Sequence, residues 1–278
     1  MKSILVPVEI TDAMGPALET ALLLAKHREA YIEGFPLRFG ISEFATAEVV
    51  GGFPSEAYRQ YGVQEAEQTL KLFEGFMQER GVPHASDSLG LGYGWLDEAP
   101  EGEGFVGSYG RAFDVTVLSR PDNNSIGLHT RAIESSLFES GRPLLLAPPR
   151  APAKIATNIM IHWNGSTEQA RANAFAMPLL RAAERVSVLT VVGGQGVAGP
   201  AATDVVKQLK RNGIAAKPIR VELDNRSTGE AILAAAKAEG CDLLVKGAFT
   251  RNRLRQMIFG GATSHIMAHA ELPVLMAH

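Results

Sequence analysis

The chain is poor in several features that would narrow its chemistry. One cysteine, Cys241, stands among 278 residues. That excludes an internal disulfide framework, and its place in the run Cys241-Asp242-Leu243-Leu244-Val245 reads as that of a small buried hydrophobe in a reducing compartment. No apolar run approaches the roughly 18 residues that a spanning helix requires. The opening Met1-Lys2-Ser3-Ile4-Leu5-Val6-Pro7-Val8 has too short an apolar stretch, and no small-residue cleavage pattern, for a signal peptide. A soluble, cytoplasmic protein without membrane contact is expected. The Gly-x-Ser-x-Gly nucleophile elbow is missing, and no Ser, His and Asp are arranged as nucleophile, base and orienter. No catalytic residues are assigned, and a dedicated enzyme is not expected. Aromatics make up 7% of the residues and are not interleaved with the basic ones, which argues against a nucleic-acid binder.

What remains is ordinary globular material. With 46% hydrophobic and 21% charged residues the chain has ample substance for a core, and at roughly 100–200 residues per domain its length suggests two domains. The net charge of −3 conceals an asymmetry. Up to Arg150 there are 12 Lys and Arg against 21 Asp and Glu, and after it 15 against 9, so a segment of −9 precedes one of +6. Opposite signs modestly favour association of the two halves.

An internal repeat explains the two halves. Ile4-Leu5-Val6-Pro7-Val8-Glu9 resembles Ile159-Met160-Ile161-His162-Trp163-Asn164. Asp114-Val115-Thr116-Val117-Leu118 resembles Asp242-Leu243-Leu244-Val245-Lys246, and Arg142 to Ala147 resembles Leu272 to Ala277. The first copy is longer between its opening and fourth strands, which places an insertion near 39–61, around Gly51-Gly52-Phe53-Pro54-Ser55. Its Phe39, Phe44 and Phe53 suggest that it covers apolar surface at an interface.

Apolar runs at 3–8, 30–36, 86–93, 114–119 and 143–147 in the first copy, and at 158–163, 186–192, 217–223, 242–247 and 273–277 in the second, read as strands. In the second copy helical patterns fall at about 167–182, 200–212, 228–239 and 252–270. Ser227-Thr228-Gly229-Glu230 has the form of a capping box. Alternating strands and helices imply parallel sheets covered on both faces. The expected fold is α/β: two tandem doubly wound parallel five-stranded sheets, Rossmann-like, with domains at 1–148 and 154–278. Between them Pro148-Pro149-Arg150-Ala151-Pro152-Ala153 forms a stiff link.

Ligands of such sheets bind outside the carboxyl ends of the strands, near the point where strand order reverses. In the second copy that edge collects His162-Trp163-Asn164-Gly165 and Gly247-Ala248-Phe249-Thr250, followed by Arg251-Asn252-Arg253-Leu254-Arg255 and Phe259-Gly260-Gly261-Ala262-Thr263-Ser264. Glycines admit backbone N–H groups to an anion, a helix N-terminus adds positive potential, and hydroxyls donate to phosphate. The same glycines also suit a close-packed strand-to-helix turn, and the arginines also suit a solvated helix start. Trp163 suits either an adenine stack or the core. His265 and His269, four residues apart with His278 beyond, read as an ordinary helix face, so no metal ligands are assigned. Glu9 and Asp12 would be candidate acids only beside a base, and the sequence shows none, so a solvated loop is expected there.

On these residues the chain resembles the universal stress protein family in its tandem form: the alternating plan, Ile159-x-Ile161-x-Trp163-Asn164-Gly165-Ser166, and Gly247-x-x-Thr250 followed after nine residues by Gly260-Gly261-Ala262-Thr263. The resemblance implies the adenine nucleotide alpha hydrolase-like fold, with two domains paired about a pseudo-two-fold axis. It further implies an adenine nucleotide (ATP, ADP or AMP, with or without Mg) in the C-terminal domain. The residues that would hold it are His162, Trp163, Asn164, Gly247, Thr250, Arg251, Gly260, Gly261, Ala262 and Thr263. The sequence departs from the family's pattern at Thr250 (glycine in the family), Gly261 (Ser or Thr) and Asn164 (usually Asp). The first copy lacks both glycine positions, which implies a degenerate site there. A regulatory stress-response factor follows, homodimeric or acting through its own paired domains. The alternatives are a nucleotide-free dimerisation or protein-interaction module and slow phosphate-ester hydrolysis at the same site.

Overall fold

The computed structural model describes residues 1–38, 55–85, 89–121, 127–194, 196–249 and 261–278. It divides into two compact units, Met1–Leu118 with Asn123–Arg142, and Ser119–Asp122 with Pro143–His278.

In the first unit β1 (Ser3–Val8), α1 (Met14–Arg28), β2 (Tyr31–Pro36), α2 (Ser55–Glu79), β3 (Gly92–Trp95), α3 (Gly104–Gly110), β4 (Val115–Ser119) and α4 (Leu128–Glu139) follow in turn. The strands lie in the order β3-β2-β1-β4, all parallel. Ile4, Leu5, Val6 and Val8 are all buried, as a strand covered on both faces requires, which is why β1 reads as one apolar run rather than an alternation. The third strand is shorter and later than its apolar run predicts. Gly90 at φ 113° breaks the extended chain, and Leu89 points into solvent, so pairing with β2 starts only at Gly92. Of the expected insertion near 39–61, residues 39–54 lie outside the described residues and the remainder opens α2.

The second unit contains β5 (Leu144–Ala147), β6 (Asn158–His162), α5 (Thr167–Leu180), β7 (Arg185–Val192), α6 (Ala202–Arg211), β8 (Ala216–Glu222), α7 (Thr228–Ala238), β9 (Leu243–Gly247), α8 (Ala262–His269) and β10 (Val274–Ala277). The strand order is β5-β10-β9-β6-β7-β8. All pairs are parallel except β5 against β10, where Leu145 faces Leu275 in an antiparallel register. Thus the fifth strand of the first repeat is counted with the second unit. At the opposite edge β8 carries Lys217, Arg220 and Glu222, charges that discourage further strand pairing.

Both repeats are doubly wound α/β layers, each built on five strands. In each the order reverses beside the first strand, between β1 and β4 and between β6 and β9, which marks the crevice where ligands of open sheets sit. The opposite ends of these strands are clamped alike. Asp242 accepts the backbone N–H groups of Thr157 (2.9 Å) and Asn158 (3.0 Å). Asp114 accepts those of Lys2 and Ser3. Helix starts follow local chemistry: Ser166 Oγ accepts the Gln169 N–H at 3.1 Å, and Ser227 and Glu230 form the expected reciprocal capping box. Cys241 is only half-buried, just ahead of β9 rather than within it, so it is less enclosed than its neighbours suggest. Burial and the charges of Glu239 and Asp242 push its thiol up to about 11. Among the described residues no helix is long and apolar enough to cross a membrane.

Candidate functional site

The second unit's crevice is built from the carboxyl ends of β6 and β9. β6 runs out through His162 into Trp163, whose N–H continues the ladder to Leu189 O at 2.8 Å. Trp163 Nε1 donates to Pro200 O at 2.7 Å, which fixes the indole at the mouth of the crevice. Asn164 Oδ1 accepts the Ser166 N–H at 3.1 Å, and its carbonyl accepts Val197 N–H at 3.0 Å, tying the turn to the segment after β7. A cavity of about 470 Å³ opens here. His162, Trp163 and Asn164 line it with Thr190 and Val191 of β7, Ile219 and Arg220 of β8, and the first turn of α6.

Across the crevice, Gly247 ends β9. Its N–H donates to Gln169 Oε1 at 2.7 Å, and a Cβ there would stand 2.5 Å from the Gln169 backbone nitrogen. The close approach of α5 therefore demands a glycine at 247 whatever binds nearby. Gly261 caps α8 at φ 79°, ψ −148°, a backbone conformation open in practice only to glycine. Ala262 begins the helix, and Thr263 sits buried in its first turn. Of the expected site residues, Thr250, Arg251 and Gly260 lie outside the described residues, as do Arg253 and Arg255. The structure thus groups His162, Trp163 and Asn164 at the cavity, with Gly247 at the end of the adjoining strand and Gly261, Ala262 and Thr263 at the start of α8.

One residue of this crevice escapes the motif-based reading. Lys246, on β9, is 4% exposed. Its Nζ donates to Gly247 O at 2.7 Å and to Thr263 Oγ1 at 2.8 Å. Extending the β6–β9 register, in which Ile161 faces Val245, sets Lys246 beside His162. His162 is 3% exposed and its Nδ1 has no hydrogen-bond partner. Burial holds the Lys246 ammonium down to about 8. Burial and the neighbouring Lys246 charge hold His162 down to about 3, so its imidazole is neutral at physiological pH. The available signal was a lysine closing Leu243-Leu244-Val245-Lys246-Gly247, a strand otherwise apolar and buried on both faces.

The histidine pair of α8 is engaged within its own helix: His265 and His269 stack at 4.2 Å, and His269 Nδ1 lies 2.9 Å from His265 O. His278 Nδ1 lies 3.1 Å from Ala248 O.

In the first unit the equivalent crevice holds a pairing that the sequence hid. Glu9, expected to be solvated, has a base beside it: His129 Nδ1 of α4 lies 2.6 Å from Glu9 Oε1, both largely buried. Glu65 of α2 is close enough that burial, partly opposed by Arg38 and reinforced by Glu9, raises its carboxyl pKa. Some 120 residues separate Glu9 from His129, so no local spacing announces the pair.

Comparison with known proteins agrees with this architecture. The model of the universal stress protein family matches residues 156–278. The structure is similar to that of a universal stress protein from Archaeoglobus fulgidus DSM 4304, with a TM-score of 0.72 and 13% identity over 99% of this chain and 97% of that one. It also resembles a universal stress protein from Pseudomonas aeruginosa UCBPP-PA14, with a TM-score of 0.54 and 14% identity over 100% of this chain and 93% of that one. No curated protein matches the sequence. Residues 156–278 thus match the universal stress protein family's model, and the chain as a whole has the fold of these two solved structures, with the α/β unit present twice.

Proposed function

We propose that the C-terminal domain binds an adenine nucleotide (ATP, ADP or AMP) and that the protein is a cytoplasmic stress-response factor whose output is a conformational or interaction state rather than fast turnover. The observation that carries this reading is the cavity at the carboxyl edge of β6, walled by Trp163 and bordered by the orphan His162 Nδ1. The start of α8, with the capping Gly261 and the buried Thr263, follows β9, the strand that adjoins β6. The cavity's 470 Å³ falls within the roughly 300–1,000 Å³ of small-molecule sites. The indole suits a purine ring, and a helix N-terminus suits phosphate. Among the described residues no three or more His, Cys, Asp or Glu side chains converge as a metal site, so an accompanying Mg ion would ride on the phosphates and water. Support for a regulatory role lies in the described side chains at the cavity, a mixture of aromatic, apolar, hydroxyl and amide groups with Arg220 and the neutral His162, among which no base is hydrogen-bonded to a nucleophile.

Calorimetric titration with ATP and Mg²⁺ tests this. Micromolar binding abolished by Ile219→Trp, which fills the cavity, supports it; absence of both heat and thermal shift overturns it. One observation favours the runner-up, a nucleotide-free interaction module, domain-paired or homodimeric. The packing of α5 already accounts for Gly247, so that glycine need not signal a phosphate.

A further inference from the structure

One wall of the cavity belongs neither to the sheet nor to a helix. After β7 the chain turns at Gly193 (φ 77°), and the Gly194 N–H donates to Val191 O at 3.3 Å. Farther on, Gly196, Val197, Ala198, Gly199 and Pro200 lead to Ala201, whose N–H donates to Asp204 Oδ2 at 3.2 Å as α6 begins. Gly194, Gly196, Val197, Pro200 and Ala201 all line the cavity, yet residues 196–201 are exposed. The segment is therefore a strap, anchored at both ends, with the cavity beneath it and solvent above.

Its middle is fastened to the turn that leaves β6. The Val197 N–H donates to Asn164 O at 3.0 Å, and Trp163 Nε1 donates to Pro200 O at 2.7 Å. Gly165 stands at φ 80°, and a Cβ there would lie 2.6 Å from Val197 O. The closed strap thus demands a glycine at 165 for conformation and for space, whatever binds nearby.

What holds the strap down is slight compared with what it covers. Val197 is 40% exposed, and the Trp163 hydrogen bond faces solvent. Few buried apolar contacts and exposed hydrogen bonds characterise segments that open far below the cost of global unfolding, and such segments commonly gate binding sites. Beneath lies Val191, only 8% exposed, whose Cγ1 would stand 3.2 Å from a Cβ on Gly194.

We propose that residues 196–201 are a strap that lifts to admit a ligand to the cavity and closes over it, with Trp163 as its latch and Gly165 as its seat. The proposal rests on the nucleotide reading for which ligand enters, but not for the movement. Val197 both lines the cavity and reaches solvent, so the strap carries occupancy of the site to the protein surface.

Hydrogen exchange of the full-length protein, followed by NMR at the Val197 amide, measures closure without a ligand. Labelling of Val191→Cys by N-ethylmaleimide, in a Cys241→Ala background, measures access. Wild-type Val197 is expected to exchange about tenfold or more slower than in an unstructured chain. Trp163→Phe keeps an aromatic ring but loses the donor. It should speed both Val197 exchange and labelling at position 191 about fivefold, as for loss of one hydrogen bond. Gly165→Ala acts at a different atom and should erase the protection of Val197. The amides of β9 should stay protected in both variants, which separates a lifted strap from a misfolded domain. Exchange of wild-type Val197 at the unstructured rate, or unchanged exchange and labelling in both variants, overturns the proposal. Adenosine and ATP–Mg²⁺ are then added, with binding measured by calorimetry. At about ten times its dissociation constant, either should slow exchange and labelling about tenfold further. A bound nucleotide that leaves both unchanged overturns the proposal while the nucleotide reading stands. If neither ligand binds and the ligand-free results are as expected, the strap stands and the nucleotide reading fails. If neither binds and Val197 is unprotected, both fail.

Discussion

The two repeats share one end of their strands and differ at the other. At the amino ends, Asp114 and Asp242 clamp the first strand of each repeat through its backbone N–H groups. At the carboxyl ends the first repeat has Pro7, Glu9, Leu118 and Ser119 where the second has His162, Asn164, Lys246 and Gly247. The first repeat answers its buried carboxylate with His129; the second buries a lysine and a histidine that pair with no acid among the described residues. Divergence is thus concentrated at the edge where open sheets bind ligands, while the opposite edge has kept its hydrogen bonds. Structural need is met the same way twice, and the segment charges of −9 and +6 are the broader trace of crevices that have separated in chemistry.

The sharpest way to break this comparison is to exchange residues between repeats. Gly247→Ser installs the first repeat's residue where a Cβ meets the α5 backbone, and is expected to cost about 3 kcal/mol in denaturant unfolding. A cost below about 0.5 kcal/mol would show that α5 adjusts and that the repeats are interchangeable there. The clamps come next. Asp242→Ala strands two inward amides and should cost about 2 kcal/mol, whereas Asp114→Ala, at a more exposed carboxylate, should cost about 1 kcal/mol; equal losses would contradict the difference in burial.

The repeats should also differ in acid. His162 titrates near 6.5 when unfolded but near 3 when folded, so below about pH 6.5 the unfolded chain binds the extra proton and stability falls with pH. The slope is up to about 1.4 kcal/mol per pH unit. His162→Phe should flatten that limb between pH 4 and 6, as followed by urea midpoints; an unaltered slope would place the acid sensitivity elsewhere. The smallest effect belongs to the first repeat's own pair: Glu9→Gln weakens the contact with His129 and should cost about 1 kcal/mol at pH 7. A variant as stable as wild type would leave that pair without an energetic role.

How much of this was legible in the sequence depended on the range over which each cause acts. Strands β1, β6 and β9 are continuous apolar runs because both faces are covered, and they stand where the runs place them. The capping box of α7 is a four-residue device and was readable as such. β3 was misplaced because a single glycine conformation at residue 90 outweighed the hydrophobic pattern. His162, Trp163 and Asn164 share the cavity as consecutive residues leaving one strand. Lys246 with Thr263, and Glu9 with His129, join strands to helices that lie adjacent only once the sheet has formed, so neither pair has a spacing to detect. Motif reasoning drew attention to the glycines, whereas the strongest electrostatic demand in the crevice comes from a lysine outside the motif.

The antiparallel contact of β5 with β10 bears on where the protein can be cut. The link at 148–153 looks like the natural place to cut, yet Leu144–Ala147 seals the edge of β10. A fragment beginning at residue 154 would carry a bare apolar strand, Val274–Ala277, with its backbone donors and acceptors open to any extended partner, including another copy of itself. Self-association of such a fragment would therefore report the lost strand rather than a native oligomer. A fragment for binding studies should begin before Leu144.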